Sequence, residues 1–208
     1  MVAVMRQIYL QLTSEEADVM RAVINSLKGT PEWDEGMVPA LIAQLDAQQR
    51  EVVVMRGIPG SGKSTRTSLL LRAADAIERS RLLCSADSFF VDGTTGRYSF
   101  NPKLLGRAHA SCFAAFKEGL AHGTSLIVVD NTNTKVWELK KYVDEALEAG
   151  YAVRVEELCA RDDSDIKLFH NRGLHGVPID KMRQMHARWE QLNMEHPDLS
   201  VISLEVRR

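Results

Sequence analysis

The chain reads as an α/β domain: a parallel sheet of about four to five strands flanked by helices, with a small N-terminal α/β extension. Three observations point there. The runs 52–55 and 126–129 are wholly apolar, as strands covered on both faces must be. Longer segments with helical patterning lie between such runs, so strand and helix alternate. Gly123 and Gly150 fall where a helix has to stop before the next strand begins.

Taken in order, residues 6–12 alternate as a short strand, and Thr13 with Glu16 forms a capping box for the helix that follows. Val19, Met20, Val23, Ile24 and Leu27 give that helix its apolar stripe, and Gly29 and Pro31 end it. A second helix is expected over 38–49. Residues 1–50 hold no chemical constellation and read as a mostly helical accessory module, leaving 51–208 as the main domain. There the expected elements are a strand at 52–55, a helix at 63–79, a second buried strand at 82–85 and a helix at 102–122. They continue with a strand at 126–129, a helix at 136–149, a strand at 152–158, helices at 163–171 and 178–193, and a last strand at 201–206.

Composition narrows the class. With 208 residues, 45% of them hydrophobic, the chain has material for one domain and its appendage. No apolar run approaches the roughly 20 residues of a membrane-spanning helix, and the N-terminus turns polar too early for a signal peptide. Cys84, Cys112 and Cys159 are an odd, scattered set with no CxxC pair, which suits reduced thiols and a cytoplasmic protein. The net charge of -2 gives no overall field for nucleic acid, so any polyanion site has to be a local patch.

The strongest motif is Gly57-Ile-Pro59-Gly60-Ser61-Gly62-Lys63-Ser64, followed by Thr65. It fits GxxxxGK[ST] directly after an expected strand and at the start of an expected helix, the context of a P-loop NTPase. Glycines let backbone N–H groups converge on phosphate oxygens, and the helix N-terminus adds the positive end of its dipole. Lys63 is then the bridge across the β- and γ-phosphates of ATP, and the Ser64 hydroxyl a ligand for Mg²⁺.

Ligands in open α/β sheets sit beyond the carboxyl ends of the strands. Asp130 ends an apolar run and looks like a Walker B acid that holds Mg²⁺. Asp87 follows the second strand and is placed to take a proton from an attacking hydroxyl. Asn131 and Asn133 offer amides that either orient a substrate or cap the helix starting near Val136. Residues 165–178 run from a helix through a glycine-bearing loop, as a lid would, and Arg172 is its candidate cation for the transferred phosphoryl group. Phe89, Phe90, Tyr98 and Phe100 interleave with Arg97, Lys103 and Arg107, a pattern that stacks bases and holds phosphates. Core packing is the competing use, expected for Phe89 and Phe100.

These residues resemble the P-loop polynucleotide 5′-hydroxyl kinases and their AAA-type ATPase and kinase relatives. The resemblance spans about 52–190 and rests on GIPGSGKST (57–65), SADSFF (85–90), DNTNTKVWE (130–138) and RGLHGVPIDKM (172–182). It implies a kinase-type P-loop fold, Lys63 and Ser64 as phosphate and metal contacts, Asp87 as general base and Arg172 as lid arginine. It also implies ATP, Mg²⁺ and a 5′-hydroxyl DNA or RNA end as the partners. One departure stands out: three residues after the base, where the kinase has an arginine for the acceptor's phosphate, this chain has Phe90. The leading expectation is therefore γ-phosphate transfer to a 5′-hydroxyl end. A small hydroxyl acceptor, or an ATP-dependent binding module without transfer, are the alternatives. Oligomeric state is left open by the sequence.

Overall fold

The computed structural model describes residues 50–75, 81–173 and 176–204, with the side chains of 73–75 outside that description. The expectations over residues 1–49 therefore lie outside the described residues. Within residues 51–208 the chain runs β1 (Glu51–Arg56), α1 (Lys63–Asp75), β2 (Arg81–Cys84), α2 (Leu105–Ala121), β3 (Leu126–Asp130) and α3 (Val136–Glu148). It continues through β4 (Ala152–Glu157), α4 (Asp163–Arg172), α5 (Ile179–Ala187) and β5 (Leu199–Ser203). Two short 3-10 turns, Ala86–Phe90 and Pro102–Leu104, stand between β2 and α2.

The five strands form one sheet in the order β2-β3-β1-β4-β5, with every neighbouring pair parallel. β1 is central because Val52, Val53, Val54 and Met55 can all be buried at once. Its side chains alternate between two apolar layers. Val52 and Val54 face Phe116 of α2 and Leu139, Tyr142 and Val143 of α3, while Val53 and Met55 face Leu70 and Leu71 of α1. A third cluster joins Ile58 of the loop after β1 to Phe169 of α4 and Met182 of α5. The order reverses at β1, with β3 on one side and β4 on the other, so the crevice of the sheet opens just beyond β1.

Three sequence expectations need correcting. Among the described residues β2 is an edge strand paired with β3 alone, and Leu83 is 43% exposed, so it is not the buried strand its apolar run suggested. The helix expected to reach residue 193 ends at Ala187. Beyond it the Trp189 ring lies under the Arg56 guanidinium, 4.3 Å from its centroid, and the Glu190 N–H donates to the Thr134 carbonyl at 3.0 Å. Those long-range partners outcompete another helical turn. β5 begins at Leu199, two residues before the expected 201, in register with Val153 of β4. The part of the expected α1 helix past Asp75 lies outside the described residues.

Candidate active site

The loop from Gly57 to Gly62 leaves β1 and feeds the N-terminus of α1 at Lys63. Two positions require glycine. Gly60 has φ +72°, and a Cβ there would lie 2.1 Å from the Phe169 carbonyl oxygen. Gly62 has φ +105°, a backbone state that side chains oppose. The Ser61 hydroxyl is buried and, among the described residues, has no hydrogen-bond partner. A buried, unpartnered hydroxyl in a glycine-rich loop that leads into a helix N-terminus suits an anionic oxygen. Ser64 and Thr65 stand exposed on that first turn.

Lys63 is buried, and its ammonium donates to the carbonyls of Gly57 at 2.7 Å and Ile58 at 3.2 Å. Burial lowers its pKa, and the carboxylates of Asp130 and then Asp87 act against that shift. Both acids expected at strand ends therefore act on the same ammonium. Asp130 accepts a hydrogen bond from the Thr67 hydroxyl at 3.4 Å, and the Ser64 hydroxyl favours its ionised form. Burial pushes the Asp130 pKa up, while Lys63 and the two hydroxyls hold it down. The hydroxyl that opens α1 and the carboxylate that ends β3 are an all-oxygen donor set, which suits a hard cation that completes its shell with water and phosphate oxygens. Ser64 and Asp130 fit Mg²⁺ on that test.

Asp87 lies on the exposed 3-10 turn after β2, whose start is capped by the Ser85 hydroxyl accepting from the Asp87 N–H at 3.2 Å. The Tyr98 hydroxyl donates to Asp87 Oδ1 at 3.1 Å. Arg172, at the end of α4, donates through Nε to the Gly60 carbonyl and through Nη2 to the Ser61 carbonyl at 2.9 Å. Its guanidinium also lies over the Phe169 ring, 4.8 Å from the centroid. The arginine thus braces the outer lip of the phosphate loop. Of the segment 165–178 expected as a lid, Leu174 and His175 lie outside the described residues.

Neither Asn131 nor Asn133 caps the helix that starts at Val136. Both are buried. Asn131 Oδ1 accepts from the Ala86 N–H at 2.9 Å, tying the end of β3 to the turn that carries Asp87. Asn133, at φ 46°, donates its amide to the Met55 carbonyl at 2.9 Å. Between them, the Thr132 carbonyl accepts from the Gly57 N–H at 3.0 Å. The string 130–133 stitches β3 to the start of the phosphate loop, because amides at this depth must be satisfied by nearby backbone. The start of α3 is served instead by carboxylates, Glu138 on the Lys135 N–H at 3.0 Å and Glu190 on the Val136 N–H at 2.9 Å.

The aromatic segment is also redistributed. Phe90 is the core residue, while Phe89 and Phe100 are 37% and 51% exposed, opposite to the packing expected of them. Phe89 lies beneath the Arg107 guanidinium, 5.9 Å from the ring centroid, and Arg97 is exposed at the tip of the following hairpin. Two contributors went unrecognised in the sequence. Thr67 is one, signalled only by its place on the helix that opens with Lys63. Arg56 is the other, fully buried at the end of β1, ion-paired with Glu157 and bonded to the carbonyls of Asn133 at 2.8 Å and Glu190 at 2.9 Å. Its signal is a cation ending an apolar run and a glutamate pair, Glu156 and Glu157, ending a later strand. The three cysteines are free thiols, and burial pushes Cys84 up to about 12. No helix among the described residues is long and apolar enough to cross a membrane.

A parallel sheet with a glycine loop and lysine at its switch point, and acids ending the flanking strands, defines a P-loop NTPase fold of kinase type. Residues 52–192 match the family described as an AAA domain, and the chain belongs to that family. NEDD4-binding protein 2 of Homo sapiens is 33% identical over 140 residues, covering 67% of this chain and 8% of that protein. YLP motif-containing protein 1 of Homo sapiens is 27% identical over 176 residues, covering 75% of this chain and 8% of that protein. The chain thus spans less than a tenth of these relatives' length. Among solved structures, Kti12 of Chaetomium thermophilum in complex with ADP-AlF3 has a TM-score of 0.50 and 20% identity, over 73% of this chain and 88% of that one. The APS kinase CysC of Mycobacterium tuberculosis, in complex with AMPPNP and APS, has a TM-score of 0.50 and 15% identity, over 75% and 89%. At these identities the likeness is one of fold.

Proposed function

We propose that this domain transfers the γ-phosphate of ATP to the 5′-hydroxyl end of DNA or RNA. The observation that supports the reading is the pairing of two different carboxylates whose charges both bear on Lys63: Asp130, largely buried and bonded to the Thr67 hydroxyl of α1, and Asp87, exposed and bonded to the Tyr98 hydroxyl. One acid is built for a cation and the other faces where an acceptor must arrive.

The amides of the loop and the Ser61 hydroxyl bind the phosphates, and Lys63 neutralises charge across the β and γ groups. Ser64 and Asp130 would hold the metal, and Mg²⁺, when bound, would supply further neutralisation of the triphosphate. Asp87 takes the proton of the acceptor hydroxyl as that oxygen forms its bond to the γ-phosphorus. The bond from phosphorus to the β–γ bridging oxygen breaks, and ADP leaves. Arg172 adds positive charge at the lip of the loop, where negative charge spreads over the transferring group. Phe89 with Arg107, and Arg97 beyond, offer stacking and phosphate contacts to a single strand.

A small hydroxyl acceptor is the second reading, and one observation favours it. Phe90 is buried among aromatic rings, so its position cannot hold an acceptor phosphate as the arginine of the resembled kinases does. Incubation with γ-labelled ATP, Mg²⁺ and a panel of 5′-hydroxyl oligonucleotides, nucleosides and sugars separates the readings. Label on oligonucleotide 5′ ends supports the proposal. Label confined to small alcohols replaces it with the second reading, and nucleotide binding without any labelled acceptor points to a non-catalytic module.

A further inference from the structure

Asp87 stands on an exposed turn, where a carboxylate is free to sample several rotamers. A base that must meet a hydroxyl within hydrogen-bond reach works only if that freedom is removed. In this chain the turn is followed by a small hairpin. Val91 bridges Tyr98 in antiparallel pairing, and the Ser99 N–H donates to the Phe90 carbonyl at 2.9 Å. The tip is closed by Asp92 Oδ1, which accepts from the N–H groups of Thr94 at 3.0 Å and Thr95 at 2.7 Å. The Tyr98 ring packs edge-on against Phe90, with centroids 6.2 Å apart, and Phe90 is itself buried. The hairpin thus brings a ring anchored in the core to an exposed acid whose charge bears on Lys63, and the Tyr98 hydroxyl donates to Asp87 Oδ1 at 3.1 Å.

We propose that Tyr98 is a positioning residue for phosphoryl transfer, holding one oxygen of Asp87 so that the other meets the acceptor hydroxyl. The inference rests on the reading of Asp87 as proton acceptor. It also gives Phe90 a purpose: the aromatic that replaces an arginine of the resembled kinases anchors the ring that orients the base. Burial, and then the Asp87 charge, push the Tyr98 pKa up to about 12, so the phenol keeps its proton and remains a donor throughout the neutral range. Tyr98 does not take part in the bond changes; it acts through Asp87.

The test is Tyr98→Phe, which keeps the ring on Phe90 and deletes the hydrogen bond. In steady-state transfer from ATP to a 5′-hydroxyl oligonucleotide, kcat should fall about tenfold or more, as misplacing a base does. KM for ATP and the melting temperature should stay as in the parent chain, because the phosphate loop and the core are untouched. An unchanged kcat overturns the inference. So does a fall in kcat that comes with an equal rise in KM for ATP or a collapse of the melting temperature, since either marks a structural role. Asp87→Ala in the same assay separates the two claims. If it is inactive while Tyr98→Phe is unimpaired, only the role of Tyr98 fails. If Asp87→Ala still transfers, or the parent chain labels no acceptor, the reading of Asp87 fails and this inference with it.

Discussion

Gly60 shows how little freedom the phosphate loop has at the level of one residue. Its left-handed backbone opposes a side chain by about 1–2 kcal/mol in general. A Cβ there would lie 2.1 Å from the Phe169 carbonyl oxygen, which is backbone and cannot rotate away. Gly60→Ala should therefore lower the urea midpoint by more than the conformational cost alone and weaken ATP binding in titration calorimetry. A variant with the parent's midpoint and affinity would show that the loop does not pack on α4 as described. The same scale explains Asn131 and Asn133. Amides beside a nucleotide motif invite a substrate role, yet their depth commits them to the Ala86 N–H and the Met55 carbonyl. Their types were legible in the chain, but their partners lie 45 and 78 residues away.

Among the elements, α4 and α5 are held together at the surface by Asp163. Its carboxylate pairs with Arg183 of α5 at 2.7 Å and with Lys167 of α4 at 3.0 Å. The hydrogen bond from Arg183, and then that from Lys167, hold its pKa well below the ordinary 3.8. A depressed carboxylate stabilises the fold above the unfolded-state value and loses that contribution as pH falls through the folded one. Asp163→Asn should accordingly lower the melting temperature at pH 7 in low salt. The difference should shrink as pH drops below about 4, or as salt screens the pair. A difference that persists at low pH would remove the ion pair as its cause.

Elements were legible where local pattern decides them. The runs 52–55 and 126–129 are apolar on both faces, and β1 and β3 are indeed the strands with both faces buried. The motif at 57–65 joins strand to helix as its glycines and lysine demand. Illegible were features set by distant contacts. β2 is exposed because, among the described residues, the sheet ends there. α5 stops at Ala187 because Arg56 and Thr134 draw Trp189 and Glu190 away. The Tyr98–Asp87 bond needs the hairpin between them to close, which no periodicity reports.

In the domain that begins at Glu51, three remote pieces of chain meet. β1 delivers the loop and Lys63, β3 delivers Asp130, and the turn after β2 delivers Asp87, all at the carboxyl edge of one sheet. Arg66 of α1 reinforces that edge by a two-pronged pair with buried Glu156 of β4, at 2.7 and 2.8 Å. On the proposed reading, nucleotide binding falls to the loop and Asp130, and activation of the acceptor to Asp87. Asp87→Ala should therefore bind ATP with the parent's affinity while transfer of its labelled γ-phosphate to a 5′-hydroxyl oligonucleotide is lost. Unimpaired transfer by that variant, or failure of the parent chain to bind ATP at all, would contradict it.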